Sequence, residues 1–463
     1  MWDLKELNTD IALYMALADA LERDIKKGLL QPGEQLPPQR ELAKKVGVNV
    51  TTVTRAYKEA ESHGLITAVV GQGTFVSKDL GANSSLINTN LGNIEANYYT
   101  PIDMGFAKPL CALEPSVQKV LQTVAQDKQL MEYMRYTPPA GLLPHRQVGA
   151  LWLNRFGLYK DPSQIIITAG GHHALDCILF ALFQPDDHIA VDCYTYSGFK
   201  MIAKRRGVKL EPVEMDEEGM LPSSLERLCH RLPIKGIYTM PSIQNPTCCH
   251  PSSKRIEALA KVIAKNHLIS IEDAMYGHLS QEKTYSIASL LPESSLFIAG
   301  LSKAFYPGLR VSFVYAPASF YNKVCQQIVD TMWMAPTLNA AIACECITSG
   351  LADEILALKK AELEKRAQLL ATTLPNYPYT YYPGSLFAWV PLSNGWDSDE
   401  FVRECQLHGT SVVPADKFIV GNLSPLAAIR LSLSAAHSFE VFQKGLSIIA
   451  TLLNRGPQVK GIL

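Results

Sequence analysis

At 463 residues, 47% apolar and 19% charged, the chain is too long for one ordinary core and too apolar for disorder. No apolar run reaches membrane-spanning length, and Met1-Trp2-Asp3-Leu4 lacks the basic and then apolar start of a secretion signal, so a cytoplasmic protein off the membrane is expected. A net charge of −1 excludes a global field that gathers nucleic acid, and ten scattered cysteines without paired zinc-site spacing are expected to be reduced structural thiols, with no metal site.

In chain order, Leu13, Leu17, Leu21 and Ile25 recur every four residues and predict a first helix that stops at Gly28. Pro32-Gly33 then turns the chain, Glu41–Val46 reads as a short second helix, and Gly47 breaks it. Asn49 is placed to cap a third helix that buries Val53, Ala56, Tyr57 and Ala60. Its other faces carry Thr51, Thr52, Thr54, Arg55 and Lys58. Leu65-Ile66-Thr67, Gly71-Gln72-Gly73 and Thr74-Phe75-Val76 read as a β-hairpin. Helix by helix, ordinary amphipathic helices with a solvated charged face would be the simpler reading. Together they describe a winged helix-turn-helix, which lays its third helix in the DNA major groove and its wing on the flanking backbone. Charge agrees with this: from Gln39 to Lys58, five basic residues face Glu41 alone.

The run Leu29-Leu30-Gln31-Pro32-Gly33-Glu34-Gln35-Leu36-Pro37-Pro38-Gln39-Arg40-Glu41-Leu42-Ala43, with Thr52-Val53-Thr54-Arg55-Ala56-Tyr57 and Gly71-Gln72-Gly73-Thr74-Phe75-Val76, closely resembles the GntR family across nearly all of residues 11–77. The resemblance implies that Arg40, Thr51 and Thr52 contact double-stranded DNA, with the wing at Gly71, Gln72 and Gly73. Val50 and Thr54 stand where the family often has arginine, and Arg55, beside Thr54, is the neighbouring candidate.

The head is expected to span residues 1–78, followed by a linker over 79–100 that is rich in turn formers. Beyond it, strand-like runs at Gln164–Thr168, His188–Asp192, Gly236–Met240, Leu268–Glu272 and Leu296–Ala299 alternate with helical stretches. That alternation predicts an α/β body over 101–463 with a parallel or mixed sheet, its site at the carboxyl ends of the strands.

Three motifs fall at such ends. Lys303 follows Leu296–Ala299 and can act as an amine nucleophile among other cations, with Arg310 available for a phosphate. Asp273 reads equally as a helix cap or as the acid that keeps a pyridine nitrogen protonated. Thr168-Ala169-Gly170-Gly171-His172-His173 is a strand, a glycine pair and a helix start, whose bare amides can hold a phosphate or serve only as a turn. His172 and His173 have no acid or cysteine spaced to complete a metal site.

Together these segments resemble the fold-type I, pyridoxal 5′-phosphate-dependent aminotransferases from about Met104 to Leu433, most specifically over Ser302-Lys303 and Pro307-Gly308-Leu309-Arg310. The resemblance implies a large mixed-sheet domain with a smaller C-terminal α+β subdomain. It assigns Lys303 to the internal aldimine, Asp273 to the pyridine nitrogen, and Asn245 and Tyr276 to the phenolic oxygen. Tyr196 would stack on the ring, while Gly171, His172, Ser302 and Arg310 would hold the phosphate. Arg430, with Asn245 beside it, would clamp a substrate carboxylate. Phe387 and Trp389 read as pocket lining or as core. Tyr136 would reach the phosphate of a neighbouring subunit, so a homodimer is expected. Gly300, Gly171-His172-His173 and Cys248 depart from the family's usual serine or threonine, Ser-Gln-Gln-like run and glycine.

A GntR-like head on such a body is the architecture of MocR-type regulators. The expected function is a transcriptional regulator that senses an amino acid or related amine by forming an external aldimine at Lys303. The alternative is an active aminotransferase with a fused DNA-binding head.

Overall fold

In a computed structural model of the chain, the described residues are 13–26, 29–31, 33–62, 65–69, 73–76, 102–280, 285–393, 395–421, 424 and 426–457. They belong to two units, divided at Thr100/Pro101.

The first unit is a winged helix. Helices α1 (Leu13–Lys26), α2 (Gln39–Val46) and α3 (Val50–Ser62) precede an antiparallel hairpin of β1 (Ile66–Val69) and β2 (Gly73–Val76), with Ile66 opposite Val76. Gly47 ends α2 in the left-handed region, at φ +72°, and its N–H bonds to the Ala43 carbonyl. Asn49 Oδ1 accepts the Thr51 N–H at 3.1 Å, as the sequence predicts for a cap. Val53, Ala56, Tyr57 and Ala60 of α3 bury against Leu17 and Leu21 of α1 and Leu42 of α2. Two details differ from expectation. The α1 stripe begins one turn late, because Leu13 is exposed. Helix α2 begins at Gln39 rather than Glu41, since Pro38 supplies a rigid, extended N-cap. Gly71 and Gln72 of the expected wing, and the expected linker, lie outside the described residues.

The second unit opens with the short strand β3 (Ile102–Asp103) and is built on a seven-stranded sheet. Its strands are β4 (Ile165–Thr168), β5 (His188–Asp192), β6 (Lys209–Val213), β9 (Ile234–Thr239), β10 (Ile269–Asp273), β11 (Ser295–Gly300) and β12 (Ser312–Tyr315). A small hairpin of β7 (Met215–Asp216) and β8 (Gly219–Met220) stands apart. The sheet order is β4-β12-β11-β10-β9-β5-β6. Strand β12 is antiparallel to both neighbours, so the other six run the same way and end on one edge. Strands β4, β11 and β12 are buried along their whole length, which is why they read as near-continuous apolar runs.

Two strands were not legible in advance. Pro212 in β6 cannot donate to a ladder, and β6 accordingly lies at a sheet edge. The four residues of β12 follow soon after the Pro307–Leu309 turn and are too short a run to show a periodicity. Farther on, β13 (Phe387–Pro391), β15 (Val413–Pro414) and β16 (Ala428–Ser432) form a three-stranded antiparallel sheet, and β14 (Thr410–Ser411) pairs with β3. Helix Phe439–Arg455 packs near β3 and β14, completing the smaller subdomain.

Helix Leu351–Thr373 carries a fully buried lysine, Lys359. Its ammonium donates to Glu114 Oε1 at 2.7 Å and to the Ala304 carbonyl at 3.0 Å. Glu114 Oε1 also accepts the Tyr306 N–H at 3.0 Å. One ion pair thus ties the start of this unit to the segment that carries Lys303. Lys359→Ala leaves Glu114 buried without its cation and is expected to cost about 3–5 kcal/mol in chemical denaturation of the chain. The double variant Lys359→Met/Glu114→Gln should recover most of that loss, and equal losses for the two would refute the pairing.

Candidate functional site

The six co-directed strands bring Thr168, Asp192, Thr239, Asp273 and Gly300 to one edge of the sheet, and the predicted motifs gather there. Helix Gly171–Leu182 starts just past β4, with Gly170 as its cap at φ +89°. A side chain at Gly170 would collide with the guanidinium of Arg310. Arg310 therefore lies against the bare helix start, where the first amides, of Gly171 and His172, have no acceptor within the helix. Its Nη1 donates to Ser302 Oγ at 2.8 Å. Arg310 and Tyr306 both hold left-handed backbone, at φ +52° and +33°, a strain typical of functional loops.

At Gly300, where the resembling family often carries a hydroxyl, a Cβ would meet the end of the Met275 side chain, which would have to shift. The hydroxyl of Ser312, directly opposite Gly300 in the β11–β12 register, is buried without a hydrogen-bond partner among the described residues. His173 is a structural cap: its Nδ1 accepts the Ala169 N–H at 3.1 Å, and its Nε2 meets Thr331 at 2.9 Å.

Lys303 sits in a turn closed by hydrogen bonds from Ala304 and Phe305 to the Leu301 carbonyl. Its Nζ donates to the carbonyl of Ala107 and lies 5.5 Å from the Phe106 ring centre. Burial and the charges of Arg430 and Arg310 pull its ammonium down to about 8. Asp273 ends β10, and burial pushes its carboxyl up to about 6. One oxygen accepts the Met275 N–H and the other the hydroxyl of Tyr238, both at 3.1 Å. Asn245 donates to the Tyr276 hydroxyl at 3.3 Å. Tyr196 leads into helix Ser197–Arg206 and folds over Gly198, where a Cβ would strike its ring.

Arg430 projects from the centre of the small sheet, where its register partners are Trp389 and Val413. Its guanidinium lies 4.8 Å from the ring centre of Phe418 and 5.2 Å from that of Phe387. Nη1 donates to Asn245 Oδ1 at 2.7 Å and Nη2 to the Gly105 carbonyl at 2.9 Å. Nε is buried and has no partner among the described residues. Phe387 belongs to this pocket and meets Tyr276 edge-on, whereas Trp389 packs on Tyr194. Cys248 takes glycine-like backbone at φ +62° and donates its thiol to the Phe387 carbonyl at 3.1 Å. All ten cysteines are free thiols.

The structure thus brings together Lys303, Asp273, Asn245, Tyr276, Arg310, Ser302, Tyr196, Gly171, His172 and Arg430. Tyr136 stands apart, exposed, with its ring 6.0 Å from that of Trp333. The DNA-facing candidates lie in the other unit. There Arg40 and Thr51 are exposed and Thr52 is half-buried, while the guanidinium of Arg55 lies 4.8 Å from the ring centre of Tyr14. Sequence reasoning missed Tyr238, Ser312, and the carbonyls of Gly105 and Ala107. Tyr238 left one signal, a phenol in a strand that is buried at every position but Lys235, where its hydroxyl must find a partner.

Known proteins share both units. The family described as aminotransferase class I and II matches residues 108–449, and the gntR family of bacterial regulatory proteins matches residues 13–76. The chain is 31% identical over 442 residues to the uncharacterized HTH-type transcriptional regulator YdeF of Bacillus subtilis strain 168, covering 96% of this chain and 94% of YdeF. It is 25% identical over 438 residues to the vitamin B6 salvage pathway transcriptional repressor PtsJ of Salmonella typhimurium strain LT2, covering 91% and 94%. The crystal structure of an archaeal alanine:glyoxylate aminotransferase matches with a TM-score of 0.74 at 26% identity, over 80% of this chain and 95% of that one.

The chain belongs to the class I and II aminotransferase family and, with its GntR head, to the MocR-type regulators. It is a DNA-binding transcriptional regulator with a fold-type I, aminotransferase-like body, and its cofactor is pyridoxal 5′-phosphate. The residues present fit that group: a side-chain-free helix start under Arg310, an unpartnered hydroxyl at Ser312 and a buried carboxylate at Asp273 match a phosphate and a pyridine nitrogen. No helix among the described residues is long and apolar enough to cross a membrane.

Two outcomes check this geometry. Gly170→Val pushes a side chain into Arg310 and strains a left-handed position, and should weaken pyridoxal phosphate binding, measured by fluorescence, at least about tenfold. Only a neutral amine attacks an aldehyde, so a lowered lysine reacts at lower pH. The rate of cofactor uptake through Lys303 should rise with pH, reach half its maximum near 8 and level off above that. A rate still climbing toward the ordinary lysine value of 10.5 would contradict the depressed ammonium.

Proposed function

We propose that the body is a sensor for an amino acid or related amine, and that ligand exchange at Lys303 changes how the chain engages its DNA operator. The observation that carries this reading is Arg430, a buried cation clamped by Asn245 and Gly105 with its Nε unsatisfied, in the pocket whose charge lowers Lys303. A buried guanidinium with a free edge is a receptor for a carboxylate. Bound here, pyridoxal phosphate supplies an aldehyde that condenses with a primary amine and a ring that withdraws electrons.

In this reading Lys303 would be the amine that faces the cofactor's aldehyde, and Asp273 would face the ring nitrogen. Asn245 and Tyr276 hold the phenolic oxygen, and Tyr196 covers the ring. The Gly171 and His172 amides, Ser302 and Arg310 take the phosphate, while Arg430 takes the ligand's carboxylate beside Asn245. Lys303, Asp273 and Tyr276 are the residues that would touch the reacting atoms.

The protein works as a homodimer in which Tyr136 reaches the other subunit's phosphate. Support comes from exposed Tyr136 and Trp333, with Met131 and Met134 also exposed nearby in sequence. In the head, Arg40, Thr51, Thr52 and Arg55, with the wing at 71–73, contact DNA, Arg40 and Arg55 supplying positive charge. A domain division at 1–78, 79–100 and 101–463 accommodates both roles.

Lys303→Ala should retain DNA binding but lose any change in operator affinity on adding the amino acid that shifts the wild-type absorption spectrum. An unchanged ligand response in Lys303→Ala would overturn the sensor. In the wild type, a spectral shift that is stable over hours fits a regulator. Progressive conversion to pyridoxamine phosphate with release of keto acid would instead make the body a working aminotransferase.

A further inference from the structure

We propose that Tyr238 is a positioning residue for Asp273: its hydroxyl holds the carboxylate ionised and oriented so that a pyridine nitrogen meets an acceptor, not an acid. This rests on the reading that Asp273 faces the ring nitrogen.

Strands β9 and β10 run parallel, with Tyr238 opposite Ile271, two residues before Asp273. The two side chains meet past that pair, and Tyr238 Oη donates to Asp273 Oδ2 at 3.1 Å in a buried setting. The other carboxylate oxygen accepts the Met275 N–H. A carboxylate has about four lone-pair sites, so these two donors leave room for a third partner. Burial drives Asp273 toward its neutral form, and the Tyr238 hydroxyl opposes that drive. Tyr238 itself stays a donor, because burial and the adjacent carboxylate raise its hydroxyl well above the ordinary phenol range.

The phenol is rigidly placed. Its ring stacks on Phe199 at 3.8 Å with 10° between planes, and both side chains are fully buried. Phe199 lies in the first turn of helix Ser197–Arg206, three residues after Tyr196. One helix start therefore supplies both the expected ring cover and the clamp on Tyr238. Without the hydroxyl, Asp273 would bind its proton more tightly, and a proton shared with the ring nitrogen would move toward the carboxylate.

The test uses the full-length chain freed of cofactor and two probes. One is 4′-deoxypyridoxine 5′-phosphate, which has no aldehyde for Lys303. The other is its carbocyclic analogue with CH in place of the ring nitrogen. Equilibrium affinities are read by calorimetry and ring protonation by absorbance. Tyr238→Phe should weaken the nitrogen-containing probe about tenfold, the scale of one hydrogen bond to a charged group, and shift the bound ring toward its neutral spectrum. It should leave the carbocyclic probe unchanged. Asp273→Asn should discriminate the probes at least as strongly. Equal effects of Tyr238→Phe on both probes, or none on either while Asp273→Asn still discriminates, would overturn the role of Tyr238 alone. Failure of Asp273→Asn to discriminate would bring down the Asp273 reading and this inference with it.

Discussion

Positive charge held out of water is the constraint around which this site is arranged. Lys303, Arg310 and Arg430 converge at the carboxyl edge of the sheet, and Lys359 lies fully buried behind them. Removing a cation from water costs several kcal/mol unless partners compensate. Glu114 neutralises Lys359 directly, whereas the Lys303 and Arg430 head groups meet carbonyls, an amide oxygen and aromatic faces. Dipoles of this kind soften the cost without cancelling the charge. The depressed proton affinities of the Lys303 ammonium and the Arg430 guanidinium are signatures of that residual strain. An anion placed among these cations would relieve it.

Burial acts on the acids near this edge as well. Burial holds Asp273 up, and it raises Asp192, at the end of β5, and Glu272, the residue before Asp273, further still, to about 7 and 8. Glu272 serves the fold instead of the site, accepting the Ser286 hydroxyl and the Ala288 N–H and so capping the short helix Ile287–Leu290. Asp273, its neighbour on the other side of the pleat, is left for the site. Alternation along one strand thus separates a structural carboxylate from a functional one.

How much of this was legible depends on the distance over which each signal acts. Lys303, Asp273 and Arg310 sit in local motifs, and strand-to-helix punctuation placed Gly170-Gly171 correctly. Asn49 and Gly47 were readable because capping is decided within four residues. Tyr238 was not, since its partner is 35 residues away and known only once β9 lies beside β10. Lys359 and Glu114 are 245 residues apart, and nothing local to either marks them as a pair. Strand β6 was hidden by Pro212, whose meaning depends on lying at an edge. Backbone carbonyls such as Gly105 and Ala107 carry no sequence signal at all.

Those two carbonyls bear on how a sensor of this design could report. Residues 102–106 are joined to the smaller subdomain: Ile102 and Met104 donate to Gly409 and Ser411, and Ser432 bonds to the carbonyls of Met104 and Phe106. Residues 107–115 are joined to the Lys303 segment, through Ala107, Glu114 and the Pro115 carbonyl that accepts the Tyr306 hydroxyl. This strap therefore crosses from one body of the unit to the other and passes directly over the two cations that face a ligand. A carboxylate at Arg430 competes for hydrogens now given to Gly105, and any new partner for Lys303 removes one now given to Ala107. Each exchange changes a bond at a different end of the same short segment. A ligand bearing both an amine and a carboxylate would act on both ends at once, and it would shift a conformational balance only by as much as its affinity differs between two arrangements of the strap.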